Sequence, residues 1–195
     1  MSTLDELAIK YGTDKSSLNH NYTTFYEKHL PKEPKRILEI GVKDGASVMM
    51  WREYFPNAEI FGLDLFVETS ESAVFDKMIA NNLGIINVNL WAGNQCDYQV
   101  LEQLRKYDFD VIIDDGSHNS RDQMMTFFGL FNGKHYFIED LHCNGDEYYS
   151  QGLPNDFRAY ELFNGLLELQ ELNDFRSSQY TDFDKERKIV YIRDL

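Results

Sequence analysis

Cysteine is almost missing from this chain, and so is any long apolar run. Two residues, Cys96 and Cys143, are too few for a disulfide framework or a thiolate zinc site, and reduced structural thiols in a cytoplasmic protein are the expectation. Met1–Glu6 shows no basic stretch followed by an apolar core, and nothing approaches membrane-spanning length. A leader and a membrane association are therefore not expected. Cations are scarce as well: 19 Lys and Arg stand against 33 Asp and Glu, for a net charge of -14 and a pI near 4.7. Such a chain repels a phosphate backbone on average, so nucleic acid is not an expected partner. Repeats, low-complexity tracts and interdomain linkers are also lacking, and the 195 residues are expected to form one domain. With 43% hydrophobic and 14% aromatic residues, that domain has the composition of a packed protein.

Short apolar runs recur at Arg36–Val42, Glu59–Leu65, Ile85–Leu90, Phe109–Ile113 and Tyr136–Leu141. Segments with helical spacing separate them at Ala46–Phe55, Ser70–Asn82, Tyr98–Lys106 and Ser120–Phe131. This alternation predicts an α/β protein with a doubly wound, mostly parallel sheet. Phe157–Glu168 reads as a further helix, with strands at Leu169–Phe175 and Lys188–Arg193 and a polar hairpin loop, Arg176–Arg187, between them. Met49, Met50, Trp51, Met124 and Met125 fall in helical patterns and read as packing residues.

Two of the runs stop abruptly in acid. Val111-Ile112-Ile113 ends in Asp114-Asp115-Gly116-Ser117-His118, and Tyr136-Phe137-Ile138 ends in Glu139-Asp140-Leu141-His142. The carboxyl ends of parallel strands open onto the ligand crevice. Asp115, Glu139 and Asp140 would thus share one mouth, where carboxylates repel unless a cation or proton lies between them. Oxygen donors favour magnesium, manganese or calcium over zinc. Asp114 faces away from its neighbour and is expected to support the turn or approach a cofactor. His118 precedes a helix whose dipole disfavours imidazolium, which suits a neutral base. A capping role on a solvated turn is the plainer alternative, and the flanking Asp115 weighs against it.

A second feature lies earlier. Leu38-Glu39-Ile40-Gly41-Val42-Lys43-Asp44-Gly45-Ala46-Ser47 spans a strand-to-helix turn whose glycines permit a tight bend and close approach of a ligand. It is not the dinucleotide fingerprint, because Lys43 stands where the second glycine belongs. The glycines alone fit a purely geometric turn equally well. The next strand ends in Asp64, about twenty residues on, where an acid accepts hydrogen bonds from ribose hydroxyls.

Taken in order, Tyr11-Gly12-Thr13-Asp14-Lys15, His20-Asn21-Tyr22, Glu39-Ile40-Gly41, Asp64, Gly93-Asn94-Gln95, Asp115-Gly116-Ser117-His118 and Glu139-Asp140 resemble the class I methyltransferases that use S-adenosylmethionine. Within these, the chain resembles the metal-dependent sugar O-methyltransferases related to the mycinamicin and macrocin enzymes. The resemblance implies a Rossmann-like fold with a seven-stranded sheet ending in an antiparallel hairpin. It implies that Glu39 and Gly41 line the methionine and ribose part of the cofactor, that Asp64 holds the ribose, and that Asn94 and Gln95 lie near the adenine, with Asn94 replacing the usual acid. Tyr11, Thr13 and Lys15 would belong to an N-terminal lid formed by residues 1–30, with His20 and Tyr22 close by. The chain is short for the macrolide-sugar enzymes, which carry an additional N-terminal portion.

The implied reaction moves a methyl group from S-adenosylmethionine to a hydroxyl of a sugar or nucleotide-linked sugar. Asp115, Glu139 and Asp140 would hold a divalent cation, magnesium before manganese or calcium, and His118 would take the proton. His142 is either a support to that site or exposed, and Tyr148-Tyr149 either stack on a sugar or pack as a loop. A small-molecule substrate is the expected partner, with a homo-oligomer left open. Three rival readings stand beside this one: methylation of another small polar metabolite, a dinucleotide-dependent oxidoreductase, and a cofactor-binding subunit without turnover.

Overall fold

The computed structural model describes residues 2–145, 149, 162–163, 179–186 and 188–194. Two helices come first, α1 (Leu4–Tyr11) and α2 (Thr23–His29). A capping box starts α1: the Thr3 hydroxyl accepts from the Glu6 amide while the Glu6 carboxylate accepts from the Thr3 amide. Four strand-helix units and a fifth strand follow: β1 (Arg36–Ile40), α3 (Ala46–Tyr54), β2 (Glu59–Asp64), α4 (Glu71–Ala80), β3 (Val88–Ala92), α5 (Tyr98–Arg105), β4 (Val111–Asp114), α6 (Ser120–Leu130) and β5 (His135–Ile138). A 3₁₀ turn (Leu141–Gly145) leaves β5, and β6 (Gln179–Phe183) and β7 (Val190–Asp194) complete the sheet.

Strand order is β3-β2-β1-β4-β5-β7-β6, parallel from β3 to β5 and antiparallel at β7 and β6. The direction of winding reverses between β1 and β4. Ligand crevices of open α/β sheets form at such a reversal. The sheet separates two apolar cores. Ile37, Ile60, Val111, Ile113 and Phe137 face α1 to α4, while Leu38, Phe61, Ile112, Tyr136 and Ile138 face α5 and α6. This two-residue alternation on a sheet covered on both sides explains the near-continuous apolar runs.

The expected strands and helices therefore form, with shifts at their ends. The C-terminal edge requires a correction. The expected hairpin loop Arg176–Arg187 contains β6, which pairs with β7 from Gln179↔Asp194 to Phe183↔Val190. Its polar composition suits the last strand of the sheet, where only one long edge is paired, and Thr181 is its buried contact. The strand expected at Leu169–Phe175 lies outside the described residues. So does the helix at Phe157–Glu168, except for Leu162 and Phe163, which are helical. Among the described residues no helix is long and apolar enough to cross a membrane, and neither cysteine forms a disulfide.

Helices α1 and α2 are part of the core. Leu4, Leu7, Ala8, Tyr22, Phe25 and Tyr26 are buried against α3 and the sheet. The loop between α1 and α2 reaches the crevice with Gly12, Thr13 and Asp14.

Candidate active site

Strand alternation decides which acids meet. Glu39 on β1 lies opposite Ile113 on β4, which lies opposite Phe137 on β5. Continuing the two-residue period sends Glu39, Asp115 and Glu139 to one face and Asp114 to the other. From the α1–α2 loop, the fully buried Lys15 enters the first face. Its ammonium is 2.9 Å from Glu139 Oε2 and 3.7 Å from Glu39 Oε1, and it donates a closer hydrogen bond to Asp115 Oδ2. Burial opposes the ammonium, but the charges of Asp115, Glu139 and Glu39 outweigh it and hold the Lys15 pKa well above the ordinary value.

Each acid of this row has other partners. Glu39 accepts from the Ser47 hydroxyl at 2.7 Å and the Trp51 indole at 3.2 Å, and burial pushes its pKa up to about 7 against the pull of Lys15. Glu139 accepts from the Tyr26 hydroxyl at Oε1. Burial, reinforced by the charge of Asp115, holds Glu139 well above the usual carboxylate range. Asp115 is also raised by burial, against the pull of Lys15 and His118. On the opposite face, Asp114 accepts from the Thr126 hydroxyl, from Gln95 Nε2 at 3.4 Å and from the Gly116 amide at 3.3 Å, and burial pushes it up to about 7.

Asp140 breaks the row. Its φ of 56° lies in the left-handed region, and its carboxylate turns to the crevice. Tyr22 donates to Oδ1 at 2.7 Å. Three imidazoles surround the same group: His118 Nε2 at 3.6 Å, His20 Nδ1 at 3.5 Å and His142 Nδ1 at 3.8 Å. Ligand atoms of Asp115, His118 and Asp140 all lie within 4.8 Å of one another. His118 also has left-handed backbone, with φ 56°. Strained non-glycine residues at two adjacent turns mark a place where the surroundings impose conformation.

These three residues form one wall of a crevice of about 750 Å³. The opposite wall is largely backbone. Asp64 Oδ2 accepts from the amides of Val42 and Lys43, at 2.7 and 2.9 Å, and Oδ1 accepts from Phe66 at 2.8 Å. The carboxylate thereby fastens the turn after β1 to the end of β2. Gly41, at φ 88°, sits where a Cβ would come within 1.9 Å of the Asp115 carbonyl oxygen. Close packing of two turns demands glycine there, independently of any ligand. Gln95 closes the floor by accepting from the Ser117 amide at 2.8 Å.

The crevice thus brings together Thr13, Gly41, Asp64, Asn94, Gln95, Asp115, His118 and Asp140 from the sequence-predicted set. Tyr11 lies elsewhere, its hydroxyl donating to Glu53. Lys15, Glu39 and Glu139 lie beneath the crevice in the buried ion cluster, and Asp114 lies behind it. Tyr149 reaches the crevice, with its ring 6.0 Å from that of His118, whereas Tyr148 lies outside the described residues. Sequence reasoning missed Tyr26, Ser47 and Trp51. The four-residue interval from Tyr22 to Tyr26, one helical turn, was a signal that the two hydroxyls could serve neighbouring acids.

No protein-family model matches the chain. Individual relatives do. A tetracenomycin-C rhamnosyl 3'-O-methyltransferase of Streptomyces olivaceus is 34% identical over 161 residues, 73% of this chain and 38% of that protein. The L-olivosyl-oleandolide 3-O-methyltransferase of Streptomyces antibioticus is 31% identical over 85% of this chain and 45% of its own length. The mycinamicin VI 2''-O-methyltransferase of Micromonospora griseorubida is 34% identical over 71% and 36%. The chain spans less than half the length of these relatives. Among solved structures, MycE, a methyltransferase of the mycinamycin pathway solved with Mg and SAH, superposes with a TM-score of 0.79 at 23% identity, over 99% of this chain and 54% of MycE. The methyltransferase PaMTH1 of Podospora anserina, solved with SAH, gives 0.59 at 20% identity over 88% of its length.

Proposed function

The chain is a homologue of sugar O-methyltransferases with a methyltransferase fold, and from that premise we propose that it moves a methyl group from S-adenosylmethionine to a hydroxyl of a sugar or nucleotide-linked sugar, assisted by a divalent cation. The observation that carries this reading is a single crevice with two unlike walls, one of backbone turns ending at Asp64 and one of Asp115, His118 and Asp140.

Both groups fit the residues present. A crevice of about 750 Å³ suits a nucleoside-sized donor. Gly41, Asp64, Asn94 and Gln95 would line its ribose and adenine, and the Gly12–Asp14 loop would cover it. For the cation, two carboxylates and an imidazole converge in a cluster where Glu39, Asp115, Glu139 and Asp140 outnumber the single ammonium of Lys15. Asp115 and Asp140 would hold magnesium or manganese. When bound, the cation lowers the pKa of an acceptor hydroxyl, and S-adenosylmethionine supplies a methyl group that needs no further activation.

What remains falls to the protein. His118 accepts the hydroxyl proton at the crevice mouth, where its side chain is 22% exposed. Asp140, 3.6 Å from His118 Nε2, directs that ring. Tyr22 fixes Asp140 from behind. The Gly41 turn packs against the Asp115 carbonyl and keeps the two walls in contact, which would hold donor and acceptor beside one another.

The test combines purified protein, labelled S-adenosylmethionine, a panel of activated sugars, and magnesium, manganese or chelator. Label should pass to a sugar only when donor and cation are both present. Mass analysis of the product identifies the methylated hydroxyl. Failure to bind S-adenosylhomocysteine in a calorimeter would overturn the donor assignment, and full turnover in metal-free, chelated protein would overturn the cation's role.

A further inference from the structure

We propose that the free edge of β3 is an interface, on which a second copy of this chain pairs antiparallel about a two-fold axis at Leu90 and doubles the seven-stranded sheet. The proposal is independent of the methyl-transfer reading, because it uses no residue that lines the crevice.

The two edges of the sheet differ. At one end, β6 carries Asp182 within the strand and Asp184, Lys185 and Glu186 just beyond it. Charges of that kind guard an open edge, because pairing with another strand would strip them of water. At the other end, β3 has no such guard. From Met78 to Cys96 there is no Asp, Glu, Lys, Arg, His or Pro, in a chain whose charged residues make up 27%. Apolar side chains stand in water around that edge: Ile79 in the last turn of α4 is 56% exposed, and Ile85 and Ile86 on the approach to β3 are 40% and 78% exposed.

Backbone direction shows what the edge offers. Asn87 C=O accepts from the Ile60 amide and the Gly93 amide donates to Asp64 C=O, each at 2.8 Å, so the odd-numbered peptide groups of β3 face β2. The even-numbered groups of Val88, Leu90 and Ala92 face outward, where the sheet ends. The Val88 amide has its own partner there, Ile85 C=O at 3.1 Å. A two-fold axis at Leu90 matches this set. The two Leu90 residues exchange a pair of hydrogen bonds, each Ala92 amide meets the Val88 carbonyl of the other copy, and the Val88 amides need nothing more.

Charge selects the occupant. A two-fold contact sets a patch against itself, so any charge on it would face its like. Two copies of a chain with net charge -14 repel over most of their surface and can approach through a stretch that carries none. A partner drawn by electrostatics would be basic and would seek the acidic surfaces instead.

Sedimentation of the intact chain across a concentration series, with amide exchange followed by NMR, tests this. At about 100 µM the parent should sediment at twice its 22.9 kDa and should dissociate on dilution. The Leu90 and Ala92 amides should be protected in the concentrated sample and exchange freely in the dilute one, while the inward Asn89 and Trp91 amides stay protected in both. Ala92→Pro removes an outward amide that β2 does not use, and Ile86→Lys places a charge on an exposed side chain. Each should weaken association about tenfold or more, with the melting temperature of the dilute protein little changed. Phe128→Lys, at an exposed aromatic on α6, controls for general apolar adhesion and should change association less than about twofold.

A chain that stays at 22.9 kDa throughout the series overturns the proposal. So does a dimer that survives both Ala92→Pro and Ile86→Lys, or one that Phe128→Lys breaks equally, since its interface lies elsewhere. Should a variant fail to fold, amide exchange in the parent decides: a dimer whose Leu90 and Ala92 amides exchange as fast as in the monomer overturns the β3 contact.

Discussion

The two walls of the crevice are built from different materials. On the β1–β2 side the polar contacts run mostly between one carboxylate and backbone amides: Asp64 gathers Val42, Lys43 and Phe66. On the β4–β5 side they run between charged or phenolic side chains: Lys15, Tyr22 and Tyr26 against Asp115, Glu139 and Asp140. A backbone-built wall presents a fixed shape and leaves most of its neighbouring volume open to a ligand. A wall of buried charge stores an electrostatic imbalance that a cation or a proton can relieve. Shape for a donor and charge for an acceptor is the division of labour that the proposed methyl transfer to a hydroxyl would need.

The sharpest way to break this comparison is His118→Ala. It belongs to the charged wall, so it should lower turnover by about two to four powers of ten while leaving S-adenosylhomocysteine affinity within about twofold. Manganese binding measured on the same variant separates a lost base from a lost ligand. Turnover equal to that of the parent would make the charged wall structural.

Gly41→Ala attacks the seam between the walls. An added Cβ would meet the Asp115 carbonyl oxygen at 1.9 Å, at a residue with φ 88°. Left-handed alanine costs roughly 1–2 kcal/mol and the overlap about as much again, for a total near 3 kcal/mol of folding stability. Because both turns must move, donor affinity and manganese affinity should fall together in the folded fraction. A loss confined to one ligand would show that the walls are independent.

Asp64→Ala should act on the backbone wall alone. Its carboxylate accepts three amides, so the variant should weaken S-adenosylhomocysteine binding about ten- to a hundredfold, about 1.5–3 kcal/mol in all, through a loosened turn and loss of the proposed ribose contacts. Manganese affinity should not change. Calorimetry with each ligand separately checks the contrast.

How much of this was legible beforehand follows the same division. The strands announced themselves because sheets covered on both faces require unbroken apolar runs, and Asp114 was separated from Asp115 by strand alternation. Alternation alone would send Asp140 away from Asp115 and Glu139, and the left-handed backbone that turns it back to the crevice carries no sequence signal. Nothing local signals that Lys15 returns to pair with Asp115 from one hundred residues away. Gly41 was legible as a turn, but its cause, the neighbouring carbonyl, belongs to a different strand. β6 was hidden for another reason: an edge strand needs only one apolar face, and a polar segment therefore reads as loop.

The smallest effect is expected away from both walls, where a histidine controls for buried charge in general. His29 ends α2 and stacks on Tyr191 with ring centroids 4.3 Å apart, its Nε2 lying 3.0 Å from Asp182 on β6. Burial outweighs the attraction of Asp182 and lowers its pKa from 6.5 to about 4. Above pH 6.5 the ring is neutral in both folded and unfolded chains, and its full contribution to stability is present. As pH falls from 6.5 toward 4, the unfolded chain takes up a proton that the folded chain resists, so stability declines. The decline should reach about 2 kcal/mol, because Asp182 is partly exposed and water moderates the shift. His29→Gln cannot titrate, and its melting temperature should fall less steeply between pH 7 and pH 4.5 than that of the parent. Slopes are the quantity to compare, since the lost stacking on Tyr191 lowers the variant at every pH. Turnover and manganese binding at neutral pH should be unaffected, which separates this edge from the crevice. Identical slopes would show that Asp182 offsets the burial, so that His29 takes up its proton as readily in the folded chain as in the unfolded one.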